Sequence, residues 1–228
     1  MSKTTLYLAN KNYSSWSLRA WLALKQTGAE FEEVVIPLRE AATRENILRH
    51  SPSAKLPALK LGEGENSLTI WDSLAICEFL AEKFPEAGLW PGPEKTRALA
   101  RAVSAEMHSG FLPLRRAMPM NMRSLFTGFA ISDEVQADIN RITAIWRECR
   151  KRAEGELAGD FLFGDFTIAD AMFAPVVSRF ITYGVDLGGV AKAYSKSVMA
   201  HPAMTEWMDA AEDEPWIIPD YEYEEKEE

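Results

Sequence analysis

Cysteine is scarce in this chain: two in 228 residues, with none before Cys77. Cys77 and Cys149 stand far apart in apolar or helical settings, so they read as buried free thiols. A reducing compartment, the cytoplasm, is the expected location. His50, His108 and His201 are scattered without ligand spacing, so no metal site is expected. No apolar run approaches the roughly 18–20 residues of a membrane span. Met1-Ser-Lys-Thr-Thr5 lacks the apolar core of a secretion signal. Basic residues are outnumbered, 25 Lys and Arg against 34 Asp and Glu, and the net charge of −9 argues against a nucleic-acid partner.

What is present suits a globular protein of one or two domains, since hydrophobic residues reach 47% and can fill a large core. The first half alternates elements. Thr5–Ala9 reads as a strand and Leu18–Lys25 as a helix, closed at Gly28 by a left-handed cap. Phe31–Ile36 is a second strand. Pro37 through His50 reads as a polar helix with a thin apolar face. Ala58–Leu61 and Ser67–Trp71 flank a glycine-containing turn and read as a β-hairpin. Asp72-Ser73 opens the helix that Pro85 closes. The order βαβαββα requires one parallel crossover and one antiparallel hairpin, hence a small mixed sheet with helices on both faces.

Residues 85–93 hold three prolines and two glycines and read as a linker. After them no strand pattern recurs. Long helices are expected from Glu94 to about Arg116, kinked or ended at Pro113, and from Ile131 to Leu157. Thr167-Ile-Ala-Asp170 has the form of a capping box opening an apolar helix. Two shorter helices fit near 189–199 and 203–213. The domain plan is therefore 1–84 α/β, 85–93 linker, and 94–228 all-helical, ending in a solvated acidic tail over 221–228.

The stretch Asn12-Tyr-Ser-Ser-Trp-Ser-Leu-Arg19 sits where the first strand turns into a helix. Its serines are either caps alone or part of an anion site, because such a turn offers free N–H groups and the positive end of a helix dipole. Leu56-Pro57 enters the third strand, and a cis bond there would expose the preceding backbone. Asp72-Ser73 starts the third helix with a hydroxyl, N–H groups and a carboxylate. In small α/β sheets ligands bind outside strand ends and at helix starts. These three places together suit a small peptide.

On these residues the chain resembles the soluble glutathione S-transferases almost end to end. Lys55-Leu56-Pro57 is similar to the cis-proline segment that pairs with the cysteinyl backbone of glutathione. Asp72-Ser73 resembles the pair that holds the γ-glutamyl end, and Gly164–Asp170 resembles the capping box of the helical domain. Ser14-Ser-Trp-Ser-Leu-Arg19 resembles the zeta-class Ser-Ser-Cys-Ser-x-Arg, with Trp16 where cysteine would stand. The resemblance implies a thioredoxin-like first domain, a helical second domain, a homodimer, glutathione as co-substrate and a detoxifying transferase activity. It also implies a runner-up, isomerisation of maleylacetoacetate with glutathione as a recycled nucleophile. A weakly catalytic binding or stress-response scaffold on the same fold is a third expectation.

The missing cysteine directs the chemistry. Thiol–disulfide exchange needs a protein thiolate, so the reactive sulfur must come with glutathione. A serine hydroxyl donating to that sulfur is worth roughly 1.5–3 kcal/mol, or about one to two pKa units. Alignment with the zeta motif ranks Ser14 first, and theta-like spacing counted back from Arg19 selects Ser15. Lys55 either meets the glycyl carboxylate or stays solvated. Asp72 charges the helix start, and the resemblance implies that it also faces the ligand's amino group across the dimer, two roles that can coexist. Arg19 either makes a structural ion pair or meets a ligand. The electrophile pocket is expected between the domains, at Trp16, His108, Phe111, Arg115 and Asn121, with Met118, Met120 and Arg123 nearby. Trp16, Trp21, Trp71 and Trp90 are expected mostly in the core.

Overall fold

The computed structural model describes residues 3–126, 128–153 and 157–222. Strands β1 (Thr4–Leu8), β2 (Glu32–Val35), β3 (Ala58–Leu61) and β4 (Leu68–Trp71) form one sheet in the order β2-β1-β3-β4. The β1–β2 pair is parallel and the β1–β3 and β3–β4 pairs are antiparallel, as the crossover and the hairpin require. Side chains alternate across the sheet. Leu6, Leu8 and Leu59 join the large core with α1 (Ser15–Gln26) and α3 (Ser73–Lys83), whereas Tyr7 and Ala58 pack with Ile47 of α2 (Thr43–Leu48).

The strand register brings three junctions together. Tyr7 pairs with both Val34 and Ala58, and Ala58 pairs with Trp71. One row therefore crosses the sheet close to the end where β1 leads to α1, where Pro57 enters β3, and where β4 leads to α3.

Two helices differ from the sequence expectation. The span 37–50 is helical only over Thr43–Leu48. Before it, the Thr43 hydroxyl donates to Pro37 O and accepts from Glu40 N, closing a turn in which Arg39 has φ 67°. The helix expected over 94–116 is split into α4 (Glu94–Ser109) and α5 (Leu112–Ala117). The break falls at Gly110-Phe111, ahead of Pro113. A Cβ on Gly110 would lie 2.7 Å from Glu106 O, and Phe111 takes the left-handed conformation at φ 59°. Pro113 then sits in the first turn of α5, where its missing N–H costs nothing.

The remaining helices are α6 (Asp133–Ala153), α7 (Ile168–Thr182), α8 (Gly189–Met199) and α9 (Pro202–Glu212). Residues 154–156, inside the helix expected to reach Leu157, lie outside the described residues, as do residues 223–228 of the acidic tail. The capping box at the start of α7 is present. Buried Asp170 accepts from Thr167 N at 2.8 Å, from the Thr167 hydroxyl at 3.0 Å and from Leu162 N at 3.0 Å. Helix α7 is apolar nearly all round and packs between α1 and α4. Among the described residues no helix is long and apolar enough to cross a membrane.

The tryptophans do not all enter the core. Trp21 is sealed, Trp16 and Trp90 are half-buried, and Trp71 is 45% exposed because β4 is the sheet edge. Cys77 and Cys149 are buried free thiols, and burial pushes both up to about 12.

Candidate functional site

Three sequence motifs converge at one end of the sheet. After β1 the chain makes a tight turn, with Ser14 N donating to Asn10 O at 2.8 Å. Ser14 is the N-cap of α1. Its oxygen accepts from Ser17 N at 3.3 Å, and its hydroxyl donates to Ser17 Oγ at 2.9 Å. Ser17 Oγ also accepts from Ala9 N at 2.9 Å, which ties the helix start to the strand it follows. Ser14 and Ser15 are each 7% exposed, but no hydrogen bond reaches the Ser15 side chain among the described residues. The two serines are therefore not equivalent. Ser14 holds the cap, and Ser15 has a hydroxyl to give.

The Leu56–Pro57 bond is cis. Among the described residues no main-chain hydrogen bond engages Leu56, so its N–H and C=O remain available beside β3. Lys55 is exposed and its ammonium makes no ion pair among the described residues. Asp72, at φ 74°, caps α3 by accepting from Leu74 N at 2.9 Å and Ala75 N at 3.2 Å. Beside it, Ser73 is 1% exposed and its hydroxyl oxygen is buried without a partner. An orphaned buried hydroxyl at a helix start fits an acceptor or donor brought by a ligand.

The helical half adds a cap to this end. His108 of α4 places Nε2 3.2 Å from Asp72 Oδ2 and meets the Trp16 ring edge-on at 5.2 Å. Its Nδ1 is buried without a partner. Arg19 lies over one ring of Trp16 at 4.5 Å and Arg115 lies over it at 5.2 Å. Trp16, in the place of the motif cysteine, thus serves as a neutral aromatic surface for two guanidinium groups.

Among the described residues neither arginine is hydrogen-bonded to a carboxylate. Arg19 is 0% exposed; its Nε donates to Met172 O at 3.0 Å, while both terminal nitrogens are buried and unpartnered. Burial, then the charges of Arg179 and Arg115, hold it well below the usual arginine value. Burial likewise brings Arg179 down to about 10, with Arg115 adding to the shift. Every hydrogen bond that the three side chains donate among the described residues goes to a main-chain carbonyl: Met172, His108, Met118 and Pro175. Arg19 thus makes no ion pair among those residues.

Trp16, His108 and Arg115 are brought together with Asp72. Phe111 is buried in the core at the α4–α5 break, as are Met118 and Met120. Asn121 is fully buried and spent elsewhere: it accepts from Asn12 Nδ2 at 3.0 Å and donates to Tyr221 O and Glu222. Sequence reasoning does not single out Arg179, although an arginine inside the apolar run Val176-Val-Ser-Arg-Phe180 is a signal in itself. Nor does it single out Tyr13. Among the described residues no group of three or more His, Cys, Asp or Glu stands ready for a metal ion.

Known proteins resemble this chain in both halves. Residues 13–83 match the family model "Glutathione S-transferase, N-terminal domain", and residues 133–210 match "Glutathione S-transferase, C-terminal domain". A probable maleylacetoacetate isomerase of Caenorhabditis elegans is 30% identical over 81% of this chain and 82% of its own. A zeta-class glutathione S-transferase of Euphorbia esula is 31% identical over 82% of this chain and 81% of its own. The crystal structure of a glutathione transferase homolog from Burkholderia gl BGR1, with bound glutathione, superposes with a TM-score of 0.66 at 24% identity. That match covers 92% of this chain and 98% of the other.

Proposed function

This chain belongs to the glutathione S-transferase family, and on that premise we propose that it binds glutathione at the convergent end of the sheet and ionises its thiol for attack on a small electrophile. Residues 1–84 form the glutathione-binding domain, 85–93 the linker, and 94–228 the helical domain that supplies His108 and Arg115. Leu56 pairs with the cysteinyl backbone of the ligand and Lys55 meets its glycyl carboxylate. Ser73 receives the γ-glutamyl carboxylate, and Asp72 faces the γ-glutamyl amine.

The observation that carries this reading is the division of labour at the first turn: Ser14 is committed to Ser17, while Ser15 is free at the positive end of α1. The Ser15 hydroxyl donates to the sulfur and favours the thiolate. A thiol of pKa roughly 8.5 lowered by one to two units is largely ionised near neutrality. In conjugation the thiol proton goes to solvent, the sulfur lone pair forms the carbon–sulfur bond, and the electrophile's leaving group departs with its electrons. The reaction is a cytoplasmic, detoxifying one carried out by a homodimer. Leu68 and Trp71, exposed on the edge strand β4, offer an apolar surface for the second copy.

The arginines favour a second reading. Arg115 is half-buried beside Trp16 and His108, with no carboxylate hydrogen-bonded to it among the described residues and buried Arg19 and Arg179 nearby, which suits an electrophile bearing an acid group. With relatives named maleylacetoacetate isomerase, this points to cis–trans isomerisation by reversible thiolate addition.

Retention on immobilised glutathione, followed by assays with chlorodinitrobenzene and maleylacetone, tests both readings. Conjugation of the first compound supports the transferase. Turnover of the second without loss of glutathione supports the isomerase. Failure of retention and of both assays would leave only a binding scaffold.

A further inference from the structure

Tyr13, the residue before the serines, is 4% exposed and its phenol is saturated with hydrogen bonds. It donates to Glu222 Oε1 at 2.6 Å and accepts from Arg123 Nη2 at 3.1 Å and Ile218 N at 3.3 Å. Two of these partners belong to the segment that follows α9. That segment is fastened to the same turn at further points. The Glu214 carboxylate accepts from Lys11 N at 2.6 Å and from Asn12 N at 3.0 Å. Arg123 donates to Glu214 O at 2.7 Å and Trp216 O at 2.8 Å, and its own N–H reaches Asn12 Oδ1 at 3.0 Å. Asn121 links Asn12 to Tyr221 O and Glu222, and the Tyr13 and Tyr221 rings meet at 5.8 Å.

A turn between a strand and a helix needs only its own bonds to form, and this one has them, from Tyr13 and Ser14 N to Asn10 O. The additional fastening comes from the far end of the chain and acts on the residue that precedes Ser14. The Asn10–Ser14 turn fixes where α1 begins, and so where the Ser15 hydroxyl and the first free N–H groups of the helix point. Small displacements there act on a thiolate directly, because hydrogen-bond strength falls steeply with distance and angle.

We propose that Tyr13 is a positioning residue for the thiolate-stabilising turn, and that residues 214–222 set its geometry through the phenol. This rests on the serine reading above. The test is a double-mutant cycle read by the thiol pKa of bound glutathione in the full chain. Tyr13→Phe keeps the buried ring and removes only the hydroxyl, and Glu222→Ala removes the acceptor of its proton. Each is expected to raise the bound-thiol pKa by about half a unit and to lower kcat, with far-ultraviolet circular dichroism unchanged. The double variant is expected to go no further than the larger single one, the signature of one shared path.

A Tyr13→Phe chain that melts lower but keeps the wild-type thiol pKa would overturn the proposal, as would fully additive effects. Ser15→Ala is run alongside. If it raises the pKa and Tyr13→Phe does not, the serine reading stands and this inference fails. If Ser15→Ala leaves the value unmoved, the serine reading has failed and the inference falls with it.

Discussion

His108 Nε2 lies 3.2 Å from Asp72 Oδ2, so the helix after the linker is tied to the cap of the last helix before it. The same carboxylate caps α3 through its other oxygen. Asp72→Ala removes both roles and should cost about 0.5–2 kcal/mol from the cap alone. Asp72→Asn keeps a capping oxygen and removes the charge. The alanine variant should melt well below the asparagine one, while both raise the KM for glutathione. An unchanged KM in Asp72→Asn would show that the ligand does not use the charge.

Neither protein thiol should take part. Burial pushes Cys77 and Cys149 up to about 12, so at pH 8 roughly one part in ten thousand of either is thiolate. Iodoacetamide should leave the native chain unlabelled and active, and should label it readily in urea. Rapid labelling of the folded chain with loss of activity would contradict a mechanism without cysteine.

Trp16 lies against two guanidinium groups as well as filling space. Trp16→Ala strips the aromatic face from buried Arg19 and from Arg115 and should destabilise by roughly 2–4 kcal/mol. Trp16→Phe keeps a ring and should lose less than half as much in urea titrations. Equal losses would mean that the ring face contributes nothing beyond volume.

Asp170 gives a pH dependence with a definite sign. Burial raises its carboxyl from 3.8 to about 6, against the hydrogen bonds from Leu162 and Thr167. The folded state therefore holds this proton more tightly than the unfolded chain. Its contribution to stability is fully present below about pH 4 and is lost as pH rises through 6, on the order of 3 kcal/mol in all. Subtracting the urea stability of Asp170→Asn from that of the wild type should expose this fall between pH 4 and 6. A difference flat across that window would contradict it.

Much of this architecture is legible in the sequence because the signals are local. Period-two and helical patterns mark the β-α-β-α-β-β-α order, Leu56-Pro57 and Asp72-Ser73 mark loop-to-element junctions, and Thr167–Asp170 marks a cap. What is not legible depends on partners remote in the chain. Asn121 reads as a pocket residue, yet Asn12, Tyr221 and Glu222 occupy it. The α4–α5 break depends on a left-handed Phe111, a conformation that its residue type disfavours. Trp71 reads as core until the strand order places it on an edge. Ser14 and Ser15 are neighbours with the same side chain, and only the position of Ser17 Oγ tells them apart.

That distinction is the central claim, and titrating the ultraviolet absorbance of the bound glutathione thiolate tests it most directly. The wild type should ionise at least about one unit below free glutathione. Ser15→Ala should abolish most of that difference. Ser14→Ala should cost about 1 kcal/mol of stability through the lost cap and raise the thiol pKa by no more than about half a unit, the effect of a displaced turn. A bound thiol that ionises like free glutathione in the wild type, or a rise in Ser14→Ala with none in Ser15→Ala, would contradict it.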